Sequence, residues 1–184
     1  QSITATQIPS LTPTQTSSPT PVFTVEPLES YLLNIPAPSL AGNLLGDPAE
    51  QPLRVVLPPS YRTSERRYPV VYYLPGYGGS AYLEDIFPPG LVAERMRSGR
   101  IGEMILVVAN GWNHLGGSFY VNSPVTGNWE DFIVNDVVNY VDSNYRTIAT
   151  AEARGITGHS MGGFGALNLA MRHPQVFSSV YIFS

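Results

Sequence analysis

One pentapeptide, Gly158-His159-Ser160-Met161-Gly162, constrains the fold of this chain more than any other segment. An apolar run precedes it and a run of small residues follows, so the pattern predicts a sharp turn from a β-strand into a helix. Such a turn crowds the backbone around its central residue. Glycines two positions to either side remove the Cβ atoms that would otherwise collide with the adjoining main chain. The segment therefore predicts an exposed serine at a strand-to-helix turn.

The serine at the centre of this turn, Ser160, is the candidate nucleophile. A nucleophilic serine needs an exposed hydroxyl, a base that takes its proton, and donors for the oxyanion that forms. Ser160 would stand at a helix N-terminus, where backbone N–H groups favour negative charge. The N–H of Met161 is one predicted donor. The alternative is a chance match, because glycine and serine are common, but the flanking strand and helix favour the functional interpretation.

A second glycine-rich loop follows another predicted strand. Residues 69–74 are typical of a buried strand, and Pro75-Gly76-Tyr77-Gly78-Gly79-Ser80 comes directly after it. Glycines allow the backbone of such a loop to turn an N–H group toward a site. The alternative is an ordinary turn with no role in chemistry.

Together these segments resemble the putative-esterase branch of the α/β-hydrolase superfamily, which includes S-formylglutathione hydrolases, feruloyl and other carbohydrate esterases, enterochelin esterases and mycolyltransferases. The matching pieces stand in the expected order: Leu53–Tyr61, Tyr68–Gly79, Ser118–Tyr120, Asn128–Phe132, Gly158–Ala166 and His173–Phe177. The resemblance covers roughly residues 30–184. It leaves the substrate open, because members share this frame while acting on different esters.

The resemblance implies carboxylic ester hydrolysis through an acyl-enzyme on Ser160. The sequence shows no metal-ligand cluster, Walker loop or dinucleotide fingerprint, so we expect no cofactor and no metal. It also implies that the main-chain N–H groups of Tyr77 and Met161 form the oxyanion hole, although a shift of one residue from Tyr77 is an open alternative. The substrate would be a small-molecule or carbohydrate-linked ester. An acyltransferase of the same family and a non-catalytic, hydrolase-like binding module are the alternatives.

The other members of a catalytic triad are missing from the expected part of the sequence. In this superfamily the order is serine, then Asp or Glu, then histidine, and both partners would lie beyond Ser184. We therefore expect a C-terminally truncated domain that is inactive by itself and lacks a segment or a complementing chain. Of the histidines, only His114 is in a position to approach the site, and a loop or pocket-wall histidine with no catalytic part is the favoured interpretation of it. His159 should point away from the turn and His173 should end the following helix.

The long loop at residues 110–128 is predicted to form a wall of the substrate pocket, because long loops at strand ends often carry function. Its candidate wall residues are Trp112, His114, Tyr120 and the adjoining Trp129. Aromatic rings there could stack on a sugar or a phenolic ring. Packing of the loop onto the body of the domain is the competing interpretation.

Hydrophobic periodicity predicts alternating strands and helices, and hence an α/β fold of the α/β-hydrolase type. The predicted strands are 31–35, 53–57, 68–74, 103–109, 154–157 and 177–183, and the predicted helices are 90–98, 129–145 and 161–173. Continuous apolar strands indicate a largely parallel sheet with helices on both faces. The sheet is expected to be incomplete at its C-terminal edge. Three acidic residues are assigned to the solvated face of the second helix: Asp131, Asp136 and Asp142.

Composition and charge limit the remaining possibilities. The formal net charge of −4 argues against nucleic acid as a partner, and no apolar run is long enough to cross a membrane. Residues 1–27 are rich in Ser, Thr and Pro and are predicted to be a disordered linker, with residues 28–184 forming the partial esterase domain. A linker of this kind, on a chain that begins at Gln1 rather than Met, favours a secreted or surface-tethered protein from which an upstream segment was removed or left out.

Overall fold

A computed structural model describes residues 28–81 and 89–183. The predicted linker at 1–27 lies outside the described residues. The strands are β1 (Ser30–Pro36), β2 (Glu50–Val56), β3 (Val70–Leu74), β4 (Ile105–Ala109), β5 (Asn122–Ser123), β6 (Gly127–Asn128), β7 (Arg154–His159) and β8 (Ser179–Phe183). The helices are α1 (Pro89–Arg97), α2 (Trp129–Asp131), α3 (Val138–Asn144) and α4 (Met161–Arg172), and a π-helical segment, Phe132–Val137, joins α2 to α3.

Six strands form one mixed sheet in the order β1-β2-β4-β3-β7-β8. Strand β2 runs antiparallel to β1 and β4, whereas β3, β4, β7 and β8 are parallel. The predicted α/β fold with a largely parallel sheet is therefore confirmed. The predicted loop at 110–128 differs in one respect, because it contains the small antiparallel pair of β5 and β6.

Apolar residues cover both faces of the central strands, because each face packs against helices. On one face, β3 and β4 join a core that includes Trp129, Phe132 and Leu169 from the helices after β4. On the opposite face, Leu106 packs against a smaller cluster that includes Met96 of α1. Parallel strands buried on both faces carry continuous apolar sequence, which explains the runs from which these strands were predicted.

Strand β8 lies at the edge of the sheet formed by the described residues and pairs there with β7. Its side chains Val180, Tyr181 and Ile182 are exposed. An apolar edge strand of this kind offers unpaired backbone groups to a further strand. The sheet is thus open on the side where the sequence predicts an incomplete edge.

Two of the acidic residues assigned to a solvated helix face are instead structural. Asp142 forms an ion pair with Arg154 at the start of β7 and accepts a hydrogen bond of 2.7 Å from the Thr147 hydroxyl. Asp136 accepts a hydrogen bond from the backbone N–H of Ser39 at 3.0 Å. The prediction was wrong for these two residues, because helical spacing does not reveal which neighbouring element covers a helix face.

The turn between β7 and α4 brings three stretches of backbone into contact. Ser160 adopts φ 53° and ψ −117°, a strained conformation for a residue with a side chain. A Cβ added to Gly162 would lie 1.8 Å from the carbonyl oxygen of Leu74, and one added to Gly158 would lie 2.2 Å from that of Gly162. The start of α4 can lie this close to β3 and β7 only because both positions are glycine.

We expect Gly162→Ala to lower the free energy of unfolding by about 3 kcal/mol or more, because the new methyl group meets backbone that cannot rotate away. Gly102→Ala is the matched control, since a Cβ at Gly102 meets nothing within 4 Å and its φ is ordinary. Urea unfolding of the two variants beside the parent chain measures the difference. Equal unfolding midpoints for the two variants would contradict the close approach at the turn.

We expect Asp142→Asn to lower the free energy of unfolding by about 3 kcal/mol, because it leaves the Arg154 guanidinium buried without its counter-charge. The two side chains are only 17% and 9% exposed. Asp131→Asn makes the same chemical change at the start of the same helical segment and serves as the control. Thermal or urea unfolding distinguishes them, and an Asp142 variant as stable as the Asp131 variant would show that the ion pair is energetically neutral.

Candidate active site

Ser160 is exposed at the carboxyl end of β7, where α4 begins. The first hydrogen bond of α4 runs from the Phe164 N–H to the Ser160 carbonyl at 3.0 Å. The N–H groups of residues 161–163 precede it and have no acceptor within the helix. These donors and the helix dipole point toward the region around the serine hydroxyl. Negative charge that develops beside Ser160 would therefore be stabilised, and the Met161 N–H is the first of these donors.

The glycine-rich loop after β3 packs directly against this turn. A Cβ on Gly76 would lie 3.3 Å from the His159 carbonyl oxygen and 3.5 Å from the Ser160 Cβ. The amides on the far side of the loop are engaged, since Gly78 donates to Gly116 at 2.8 Å and Gly79 donates to Gly76 at 2.9 Å. The N–H of Tyr77, the residue before them, has no acceptor within the part of the chain that the structure describes. The loop thus brings the Tyr77 main chain beside the serine.

Two aromatic side chains near the serine were missed by sequence reasoning. The Tyr77 ring lies 6.4 Å from the Phe119 ring, which in turn lies 6.2 Å from the Phe164 ring. All three are exposed. The sequence predicted the helix that carries Phe164 but not which of its side chains are exposed, and Phe119 has a positive φ of 54° that periodicity cannot predict. The signal available in the sequence was a phenylalanine in the first turn after the serine, among glycines.

A shallow apolar cavity of about 340 Å³ opens beside the serine. Its lining consists of the serine itself, the first turns of α4 and the end of β8: Ser160, Gly163, Phe164, Leu167, Ile182 and Phe183. The Phe183 carbonyl also accepts the Ser160 N–H at 3.0 Å. Strand β8 therefore contributes both to the backbone geometry of the turn and to the apolar surface next to the hydroxyl.

Two residues predicted for the pocket wall are buried in the core instead. Tyr120 and Trp129 are both 0% exposed. The Tyr120 hydroxyl donates to the Pro75 carbonyl at 2.9 Å, and burial raises the pKa of this phenol well above its ordinary value. The Trp129 indole N–H donates to the Thr126 carbonyl at 2.7 Å. The pocket-wall interpretation was wrong for both residues, although Tyr120 supports the loop after β3 from beneath.

The other two predicted wall residues, Trp112 and His114, are exposed next to one another. Their rings lie 5.7 Å apart, and Trp112 is 43% exposed. The His114 Nδ1 lies 2.6 Å from an Asp47 carboxylate oxygen. Trp112 lines a second cavity of about 420 Å³ that Asp47 also borders. His114 is thus engaged with Asp47 and not with the serine.

The remaining histidines are also committed to structural contacts. The His159 ring packs 5.8 Å from the Phe183 ring, and the His173 Nε2 lies 2.7 Å from the Glu130 carboxylate. Burial alone would raise the pKa of Glu130, but hydrogen bonds from His173 and Arg172 outweigh it and lower that pKa. Within residues 28–81 and 89–183, no histidine or carboxylate is hydrogen-bonded to the Ser160 hydroxyl.

The described residues contain no group of three or more His, Cys, Asp or Glu side chains arranged to hold a metal ion. None of the helices in this part of the chain has the length and apolar character needed to cross a bilayer. The chemical groups that the site does present are a serine hydroxyl, main-chain N–H donors and exposed aromatic rings.

Comparisons with known proteins identify the family to which the chain belongs. A sequence model of the family described as "Putative esterase" matches residues 48–184. An esterase of Mycobacterium tuberculosis strain H37Rv is 33% identical over 132 residues, which cover 69% of this chain and 27% of that protein. The chain therefore spans about a quarter of the length of this curated relative.

Solved structures show the same fold. A ferulic acid esterase superposes with a TM-score of 0.71 at 27% identity, covering 83% of this chain and 56% of that one. An S-formylglutathione hydrolase from Agrobacterium tumefaciens superposes with a TM-score of 0.67 at 18% identity, covering 84% of this chain and 57% of that one. With its mostly parallel sheet and a family match over residues 48–184, the chain belongs to the putative-esterase family of the α/β-hydrolase fold.

Proposed function

We propose that this chain carries the nucleophile and the oxyanion donors of a serine esterase that hydrolyses carboxylic esters. The observation that carries the proposal is the exposed Ser160 at a strained strand-to-helix turn, with α4 beginning at the next residue. The strain at φ 53° is maintained by close backbone packing around Gly158 and Gly162. Strain held in place by its surroundings is a feature of functional sites. Membership in an esterase family supports the same reaction.

The reaction begins with attack by the Ser160 Oγ on the ester carbonyl carbon, as the hydroxyl proton passes to a general base. The carbonyl oxygen becomes an oxyanion, and we assign its binding to the Met161 and Tyr77 N–H groups. Loss of one such donor typically costs about 3 kcal/mol of transition-state stabilisation. The tetrahedral intermediate then collapses, and the alcohol leaves with a proton returned by the base. Water attacks the resulting acyl-enzyme and releases the acid.

We assign the general base and its acidic partner to residues outside the described part of the chain. All three histidines of the chain lie in the described part, and each has a contact that holds it elsewhere. We propose that a histidine and an Asp or Glu in sequence following Ser184 complete the triad, in the chain order typical of this fold. The open edge at β8, next to the serine, is where such a segment would join the sheet.

A non-catalytic binding module is the competing function, because no base is hydrogen-bonded to Ser160 among the described residues. An acyltransferase shares the first half of the mechanism and differs only in the acceptor that attacks the acyl-enzyme. Labelling of Ser160 separates the module from the two enzymes. Adding alcohols during turnover then separates the enzymes, since a transferase forms a new ester whereas an esterase releases the acid to water.

Ser160→Ala is expected to abolish both labelling by a fluorophosphonate probe and hydrolysis of 4-nitrophenyl acetate in the longest natural form of the protein. The reason is that no other group can form the acyl-enzyme. Ser98→Ala, which removes an exposed hydroxyl at the end of α1, is the control and should leave both unchanged. Mass spectrometry of the labelled peptide locates the modified serine.

The same probe applied to the 184-residue chain tests where the base resides. We expect labelling of the longer protein and none of this chain, although both are folded. Substantial turnover by the Ser160→Ala protein would overturn the assignment of the nucleophile. A folded longer protein that is not labelled would favour the binding module.

A further inference from the structure

The long loop after β4 contacts both residues that we assign to the oxyanion hole. Residues 115–119 of this loop, here called the bracing segment, lie against the side chains of Tyr77 and Met161. The Tyr77 hydroxyl donates to the Leu115 carbonyl, and the Met161 sulfur accepts the Phe119 N–H at 3.4 Å. One short segment therefore connects two residues that are far apart in the chain and whose main-chain N–H groups are assigned to the same oxygen.

Glycines in the middle of the bracing segment allow both side chains to approach it closely. A Cβ on Gly117 would lie 2.5 Å from the Met161 Sδ and 2.8 Å from the Tyr77 Cδ2. A Cβ on Gly116 would lie 2.6 Å from the Tyr77 hydroxyl oxygen. The Tyr77 and Met161 side chains thus occupy the space that a side chain at residue 116 or 117 would need. They meet at Gly117, which both of them contact.

Buried side chains fix the bracing segment near each of its ends. Asn113 is 0% exposed, and its side-chain oxygen accepts the N–H groups of Leu115 at 2.9 Å and Gly117 at 3.1 Å. Beyond the other end, the buried Tyr120 donates to the Pro75 carbonyl at 2.9 Å. A segment anchored by packing and hydrogen bonds can hold the groups that rest on it in a defined geometry.

Neither contact is one that the stability of the core would require. Tyr77 is 62% exposed, so burial of its ring contributes little to stability, although its hydroxyl and its ring are both engaged. Met161 is only 3% exposed, but a thioether is a weak hydrogen-bond acceptor, and leucine would fill a similar volume. The feature that the two side chains share is their attachment to an oxyanion donor.

We propose that the Tyr77 and Met161 side chains are positioning groups that set the separation of the two oxyanion donors through the bracing segment. This inference rests on the ester hydrolysis proposed for Ser160, because only then do the two N–H groups share an oxyanion. Such donors act at about 3 Å from the oxygen, and a displacement of about 1 Å can cost about 100-fold in rate. The competing interpretation is that these contacts only pack the loop onto the domain.

The test uses side-chain substitutions, which leave the main-chain donors in place. Met161→Leu removes the sulfur acceptor and keeps the apolar volume, whereas Tyr77→Phe removes the hydroxyl and keeps the ring. Hydrolysis of 4-nitrophenyl acetate is measured in the longest natural form of the protein. Rates are expressed per active site, counted by titration with the fluorophosphonate probe. A substitution that only destabilises the fold lowers the number of active sites and the unfolding midpoint, but not the rate of each site.

We expect Met161→Leu to lower kcat by about tenfold, less than the loss of a whole donor. Tyr77→Phe should lower it by about fivefold, because the hydrogen bond from Gly78 to Gly116 still joins the two loops. The value of KM should change by less than about twofold, since the donors act on the transition state. Met171→Leu on α4 and Tyr140→Phe on α3 make the same chemical changes outside the site and should leave kcat unchanged.

The double variant tests whether the two side chains act through one link. Met161→Leu already breaks the link at the turn, so adding Tyr77→Phe should slow the enzyme little further. Independent defects would instead multiply to about 50-fold. Gly117→Ala tests the same link without changing either donor residue, because its methyl group displaces both side chains. It should lower kcat by about tenfold, whereas Gly102→Ala should not.

The inhibition constant of phenylboronic acid, which forms a tetrahedral adduct on a nucleophilic serine, provides a second readout. It should rise in proportion to the fall in kcat, because this adduct resembles the transition state.

Any of three results would overturn the proposal: kcat per active site in Met161→Leu equal to that of the parent, effects confined to KM or the unfolding midpoint, or full multiplication of the two effects. Failure of the proposed reaction looks different. A folded parent protein that is neither labelled at Ser160 nor active on the ester loses the esterase function, and the positioning role with it. A parent protein that is labelled and active, with variants equal to it, retains the esterase function and loses only the positioning role.

Discussion

The geometry of the candidate site depends on one close approach between backbones. The start of α4 lies so near the end of β3 that the Gly162 position admits no side chain, since a Cβ there would meet the Leu74 carbonyl oxygen. This contact determines how α4 leaves the sheet and therefore where Ser160 stands. It also places the serine beside the loop that follows β3. The strained backbone at Ser160 persists because packing on both sides leaves the turn no relaxed alternative.

Buried side chains beneath the site keep its loops in position. Tyr120 reaches from the long loop after β4 to the Pro75 carbonyl, and its ring packs so closely on Gly165 that a Cβ there would collide with it. The Asn110 amide similarly fixes the backbone of Trp112. In both cases a buried, hydrogen-bonded group holds a neighbouring exposed one. The exposed groups around Ser160 are thus supported from beneath, which is what a preorganised site requires.

Sequence reasoning separated strands from helices well but did not separate exposed aromatic residues from buried ones. The loop after β4 and the adjoining Trp129 supplied four candidate wall residues. The structure buries Tyr120 and Trp129 and exposes Trp112 and His114. The loop has no period from which an inward or outward direction could be read. The same limitation hid Asp142, whose partner Arg154 lies on a strand twelve residues later and is brought near only by the folding of the sheet.

The sequence by itself determined the order of strands and helices, the turn at Ser160 and the need for small residues around it, because these follow from local periodicity and from steric limits on the backbone. The tertiary structure decided which side chains share a surface. It placed the loop after β3 between Ser160 and the second cavity, and it put Trp112 in the lining of that cavity. These relations join residues far apart in the chain. Their physical basis is the packing of loops at the carboxyl ends of the parallel strands, which no short stretch of sequence encodes.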